Sequence, residues 1–159
     1  MLKKNKSYIL LLVMTITSML SLLMFAYWQK MGLIVDLASQ KEKYYKNFYL
    51  TKSLLNYSLF LVKNNFENYF SEINKTKKPV ILNLDNILKT LANNSQDNYL
   101  QEFKSYTSIT CTDKKNAFNI NTVLQDKNNK ILFRLSCLLI KNSEKNEYAI
   151  ENNTIGNFF

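Results

Sequence analysis

Histidine is absent from this 159-residue chain, arginine occurs once (Arg134), proline once (Pro79), glycine twice (Gly32, Gly156) and cysteine twice (Cys111, Cys137). Each shortage excludes something. Without histidine there is no ordinary Ser-His or Cys-His nucleophile, and no side chain titrates naturally near neutrality. Two glycines cannot build a glycine-rich phosphate loop. Two cysteines without histidine cannot complete a four-ligand zinc site. A single arginine removes the planar fork on which phosphate and base readout leans. The net charge is +9, but the lysines are scattered through an Asn-rich chain and form no block, which describes a solvated face better than a binding patch. The acidic residues make no paired motif. These absences give a non-enzymatic reading with no cofactor, no metal, no nucleic-acid partner and no evident small-molecule substrate.

Charge itself is missing from one long stretch. Between Ser7 and Gln29 there is no charged residue, no proline and no glycine. At ~1.5 Å per residue these helical residues reach about 35 Å, enough to cross a ~30 Å hydrocarbon layer with some tilt. A single isolated span must be helical, because lipid offers nothing to free backbone N–H and C=O groups. Residues 1–7 carry Lys3, Lys4 and Lys6 with no acid beside them, so the positive-inside tendency keeps this leader cytoplasmic. Tyr27, Trp28 and Lys30 suit the far headgroup level. Residues 8–29 are thus expected to be a transmembrane helix in the inner (cytoplasmic) membrane, with the C-terminal domain extracytoplasmic. The alternative, a cleaved signal, fits less well: its apolar region is shorter and ends in small residues, which Met24-Phe25-Ala26-Tyr27-Trp28 does not offer.

The helical pattern continues past the span. Leu37, Tyr44, Tyr45, Phe48, Leu55, Leu59, Val62, Phe66, Tyr69 and Ile73 recur at roughly three-and-four spacing. No proline intervenes before Pro79, so one helix of roughly 100 Å is expected from Tyr8 to about Glu72, with 30–73 as its extracytoplasmic continuation. The aromatic stripe fits the core side of a helix lying on a sheet. The other reading is a homotypic coiled coil with Phe48, Leu55, Val62 and Tyr69 as its seam, although such seams prefer aliphatic residues.

Residues 74–105 read as a linker holding one short helix, Asp85–Ala92, capped by Asn83 or Asp85. Around Tyr99, Leu100 and Phe103 another helical turn and an early strand both remain open. From Tyr106 the period becomes two: strands are expected at Tyr106–Thr112, around Phe118–Thr122, at Ile131–Ile140 and through Tyr148 and Ile150, ending before an Asn152-Asn153 tail. Residues 106–159 therefore form an antiparallel β-sheet region. The fold class is α+β: a long N-terminal helix, transmembrane then amphipathic, packed on a small antiparallel sheet of about four strands. Cys111 and Cys137 both fall on inner strand faces, so in an oxidising compartment a disulfide worth ~3–4 kcal/mol is one expectation, and two buried thiols the other.

A short basic leader, an apolar helix running on as an amphipathic one, a loop region and a small sheet with a late cysteine pair together resemble type IV pilin-like proteins, above all minor pilins and pseudopilins. The segment Lys4-Asn5-Lys6-Ser7-Tyr8-Ile9-Leu10-Leu11-Leu12-Val13 is similar to the family's processing site. Ser7 stands where the family has glycine before the cut, Tyr8 is the aromatic first residue of the mature chain, and Leu12 replaces a glutamate that some tip-located members also lack. The resemblance implies a structural subunit of a type IV pilus or a type II secretion pseudopilus. It would assemble with other pilin-like or envelope subunits through Leu12, Ser18, Leu22 and their neighbours. The rival function is a single-pass coiled-coil scaffold of the cell envelope or division machinery. A binding module for lipid or peptidoglycan has no support beyond the anchor.

Overall fold

The structure, a computed structural model, describes residues 2–95, 98–112, 116–142 and 147–156, the side chains of 2–7, 95, 98, 99 and 152–156 excepted. Two compact units result, Met1–Tyr44 and Tyr45–Phe159. In the first, α1 (Leu2–Asn64) is the only element, and every residue from Tyr8 to Lys43 is exposed.

The second unit is α+β. After α1 come α2 (Phe66–Thr76), β1 (Val80–Asn83), α3 (Asp85–Ser95), a 3-10 turn (Asn98–Glu102), then β2 (Phe103–Cys111), β3 (Ala117–Asp126), β4 (Ile131–Asn142) and β5 (Glu147–Gly156). The strands form one antiparallel sheet in the order β1-β2-β3-β4-β5, five strands where about four are expected. The additional strand is β1, within the 74–105 stretch: Val80-Ile81-Leu82 directly follows Pro79, and its Val80 pairs with Ile109. The open choice near Phe103 resolves into both options, a 3-10 turn followed by a strand. At the other end β5 does not stop before Asn152 but runs to Gly156, because β4 offers ladder partners as far as Arg134.

One continuous helix to Glu72 is not what forms. Helical geometry is interrupted at Asn65, whose φ and ψ are −124° and 28°. Both its backbone N–H and its side-chain Nδ2 donate to the Leu61 carbonyl, at 3.1 and 3.2 Å. A short amide side chain competing for backbone groups is what makes asparagine a poor helix-interior residue. The resumed helix closes on Lys77, whose left-handed backbone (φ 52°) returns an N–H to the Ile73 carbonyl before Pro79.

The core lies between the C-terminal part of α1 with α2 and one sheet face. Thr51, Leu54, Leu55, Ser58, Leu59, Val62, Phe66 and Ile73 are buried on the helical side. Ile109, Phe118, Ile120, Leu124, Phe133, Cys137 and Leu139 are buried across the strands. Phe66, the first residue of α2, packs its ring 4.6 Å from Phe118 and 5.7 Å from Tyr148. Two Asx arrangements hold the turns. Asn83 Oδ1 accepts from the Asp85 N–H at 2.8 Å, and Asp85 Oδ1 accepts from the Ser105 N–H at 2.7 Å. In the β3–β4 hairpin Asp126 Oδ1 accepts from the Asn128 and Lys130 amides, and Asn129 takes the left-handed position (φ 63°).

Candidate assembly surface

Large apolar side chains from Tyr8 to Leu37 stand exposed all around α1, among them Leu12, Leu22, Trp28, Leu33 and Leu37. This helix is long and apolar enough to cross a membrane. Its four described serine and threonine hydroxyls within the apolar run are satisfied internally: Thr15 donates to the Leu12 carbonyl at 2.8 Å, Thr17 to Val13 at 2.9 Å, Ser18 to Thr15 at 2.9 Å and Ser21 to Thr17 at 2.8 Å. Turning back onto the helix leaves none of these four hydroxyl protons seeking a partner, the condition an apolar environment imposes. Leu12, Ser18 and Leu22 occupy this surface. Tyr8 is exposed on it, while Ser7 belongs to the same helical backbone and its side chain lies outside the described residues.

Two further features belong to this surface. Gly32 has nothing within 4 Å of the position a Cβ would take, and with Tyr27, Trp28, Met31, Val35 and Asp36 it forms a shallow notch in the helix. Met31, Leu33, Ile34 and Val35 extend the all-round apolar surface beyond the expected stripe. The signal was present, since between Lys30 and Lys41 only Asp36 is charged.

Farther along α1 the two sides diverge. Leu55 and Val62 are buried on the chain's own sheet, Val62 completely; Phe48 is half-buried there with its ring 5.8 Å from that of Phe133, and Tyr69 is half-buried on α2. Tyr45, Tyr49, Tyr57 and Phe60 are exposed instead; of these only Tyr45 was on the expected stripe. The polar residues Thr51 and Ser58, also outside that stripe, are fully buried.

The expected Cys111–Cys137 bond does not exist: neither cysteine is in a disulfide. The register shows why. Cys111 pairs with Phe118, which pairs with Leu139, two residues along β4 from Cys137. The two cysteines share a face with the whole of β3 between their strands, so their Cα atoms are separated by roughly 10 Å or more, beyond the ~7 Å that a disulfide can bridge. Cys137 is buried, and burial pushes its thiol up to about 11. Its neighbours give it no charge to work with, so it packs as a small hydrophobe.

Where Lys141 on β4 meets α2, its ammonium donates to Glu67 Oε1 and stands 5.3 Å from the Phe66 ring centre. The Glu67 hydrogen bond raises the Lys141 pKa above its ordinary value, desolvation opposes this, and the Glu67 and Tyr148 charges add to the rise. Beside it Tyr148 donates from its hydroxyl to the Lys63 carbonyl at 3.3 Å, next to the break at Asn65. Among the described residues no cluster of three His, Cys, Asp or Glu side chains could hold a metal ion. Compared with known proteins, the chain matches no family model, no curated protein and no solved structure.

Proposed function

We propose that this protein is a structural subunit of an envelope filament, a pilus or secretion pseudopilus. It is anchored by residues 8–29 with its N-terminal flank in the cytoplasm and its sheet unit outside, and it assembles through the apolar part of α1. The observation that carries the reading is the division of α1 into two kinds of surface. From Thr51 onward the helix has a face buried on its own sheet, whereas from Tyr8 to Lys43 no side chain is covered. Lipid satisfies the apolar part in the monomer. In lipid, helices associate by close packing and interhelical hydrogen bonds and not by hydrophobic transfer, so this segment suits a bundle of like helices. The resemblance of Lys4–Val13 to a prepilin processing site supports the same reading, as does the lack of any catalytic constellation in the sequence. The coiled-coil scaffold is disfavoured because two residues of its seam, Leu55 and Val62, are already occupied by the sheet.

Lysine at Leu12 or Ser18 is the direct test. Either substitution places a charge in the subunit contact, at a cost of about 2.5–3.5 kcal/mol on insertion scales, and should abolish recovery of the protein in sheared filament fractions. Normal incorporation of both variants would refute the assignment. N-terminal sequencing of the mature chain adds an independent readout: the reading expects a methylated Tyr8 as first residue.

A further inference from the structure

The sheet has two open edges, β1 and β5, and among the described residues neither pairs with anything beyond β2 and β4 respectively. Exposed ladder groups of this kind are templates for another strand, and proteins blunt them with lysine, proline or shortness. β1 is short and carries no charge of its own, but Lys75, Lys77, Lys78 and Pro79 lead into it. The β5 edge runs from Glu147 to Gly156 with no lysine and no proline, in a chain with 21 basic residues, and its charges are the exposed Glu147 and Glu151. Among the described side chains one large apolar residue stands exposed on each edge, Ile81 at 64% and Ile150 at 44%.

We infer that β5 of one copy accepts β1 of a second copy, extending the sheet head to tail. Three observations select this occupant. First, every neighbouring pair is antiparallel, so with five strands β1 and β5 run in the same direction. A copy added beside β5 in the same orientation makes a parallel ladder, and its helix enters the sheet unit in the same sense as the first. Pairing β5 antiparallel with itself would reverse that sense. Second, the charges are opposite: a lysine-rich approach meets a strand whose only charges are carboxylates. Third, these charges fall within one or two residues of each other along the shared edge. Val80 lies level with Ile109, Ile120, Cys137 and Asn152 across the sheet. An added copy placed without slip therefore brings its Val80 level with Asn152 and its Pro79 level with Glu151, so that Lys78 stands one residue back, beside Ile150 and within side-chain reach of that carboxylate. Such a contact is heterologous and does not close on itself, the kind that propagates a filament. It rests on the assembly reading above but uses a surface that the apolar helix does not include.

The test uses the full chain in membrane vesicles, prepared as a mixture of nitrogen-14 and nitrogen-15 copies, and a water-soluble carbodiimide, which condenses a carboxylate with an amine with loss of water. Within one chain the two edges lie about 19 Å apart, too far for a linker of zero length. The expected result is heavy-to-light isopeptide links from Glu147 or Glu151 to Lys75, Lys77 or Lys78. The double variant Glu147→Lys, Glu151→Lys removes the carboxylates and reverses the charge of the edge, and should abolish these links. Adding Lys77→Glu and Lys78→Glu should restore heavy-to-light links between these positions. The inference is overturned if no such links form while single cysteines placed at Leu12 or Leu22 still cross-link between copies. It is also overturned if Ala149→Cys gives efficient β5-to-β5 dimers. Loss of the Leu12 and Leu22 cross-links as well would remove the assembly reading itself.

Discussion

Ser58 Oγ and Thr107 Oγ1 lie 2.8 Å apart in the middle of the core, joining α1 to β2 through a fully buried hydroxyl pair. The chain continues to Thr122 Oγ1 on β3, again at 2.8 Å. Ser58 donates to the Leu54 carbonyl at 2.9 Å, so its proton is committed. Thr107 therefore donates to Ser58 and Thr122 to Thr107, and every hydroxyl proton is used. Removing the middle member strands the outer ones in a dry site. Thr107→Val should cost about 1–3 kcal/mol, the penalty for a buried donor left without an acceptor. The triple variant Ser58→Ala, Thr107→Val, Thr122→Val should cost less than the sum of the three single changes. Denaturant titration of the detergent-solubilised full chain by circular dichroism measures both, and strictly additive losses would show that the hydroxyls act independently.

Phe118 and Phe60 separate the two aromatic populations of this unit. Phe118 is fully buried with Phe66 and Phe70 around it, at 4.6 and 6.1 Å between ring centres. Phe60 is 60% exposed on the side of α1 turned away from the sheet. Phe118→Ala should destabilise by about 3–5 kcal/mol through lost burial and the cavity left behind. Phe60→Ser should stay within about 0.5 kcal/mol. The same titration decides, and a large loss for Phe60→Ser would mean that this side of α1 is covered within the chain.

Hydrophobic period made most of this legible in advance. The apolar run from Tyr8 to Tyr27 stood out by length alone, and Leu55, Leu59, Val62, Phe66 and Ile73 announced the buried stripe by spacing. The β3 and β4 faces were equally plain, because Phe118-Ile120-Thr122 and Phe133-Leu135-Cys137-Leu139 alternate. What stayed hidden depended on partners. Thr51 and Ser58 look like solvent-facing residues until a carbonyl one turn back and Thr107 across the interface supply their bonds. The break at Asn65 depends on side-chain competition that no apolar period records. β1 was obscured by its brevity, since four residues after a proline carry little pattern without Ile109 to pair with. Strand order decides the cysteines, and strand order is not written in spacing.

Cys111 and Cys137 should remain thiols under mild oxidation, with the intact mass showing no loss of two hydrogens. They should also differ in reactivity. Cys137 is buried with its pKa pushed up to about 11 by desolvation. At pH 8 iodoacetamide should modify Cys111 first, and Cys137 only after denaturant is added, because the thiolate is the nucleophile. In the unfolded chain the thiol titrates near its ordinary value of about 8.5, so stability should fall as pH rises from there toward the folded value. Peptide mapping after timed labelling checks the order, and equal rates for the two residues would contradict the burial of Cys137.

Lys141 and Glu67 fasten β4 to the first turn of α2, immediately after the Asn65 break, with Phe66 beneath the ammonium. The folded pKa of Lys141 is raised, first by the hydrogen bond to Glu67. A cation held this way contributes its stability in full below the unfolded lysine value of about 10.4, and loses it as pH rises through the folded value. Cys137 titrates in an overlapping alkaline range, so the comparison belongs in a Cys137→Ala background. There, Glu67→Gln removes the acceptor charge while leaving the ring contact with Phe66. Its stability should decline less steeply above about pH 10 than that of the Glu67 parent, and the two curves should converge once Lys141 is neutral. Parallel curves across that range in denaturant titrations would show that the pair adds nothing to the joint. Glu67 is 75% exposed while Lys141 is 18% exposed, so the lysine holds the buried end of the pair. Lys141→Met, which keeps the packed stem over Phe66 but removes the charge, should therefore flatten the alkaline decline as Glu67→Gln does.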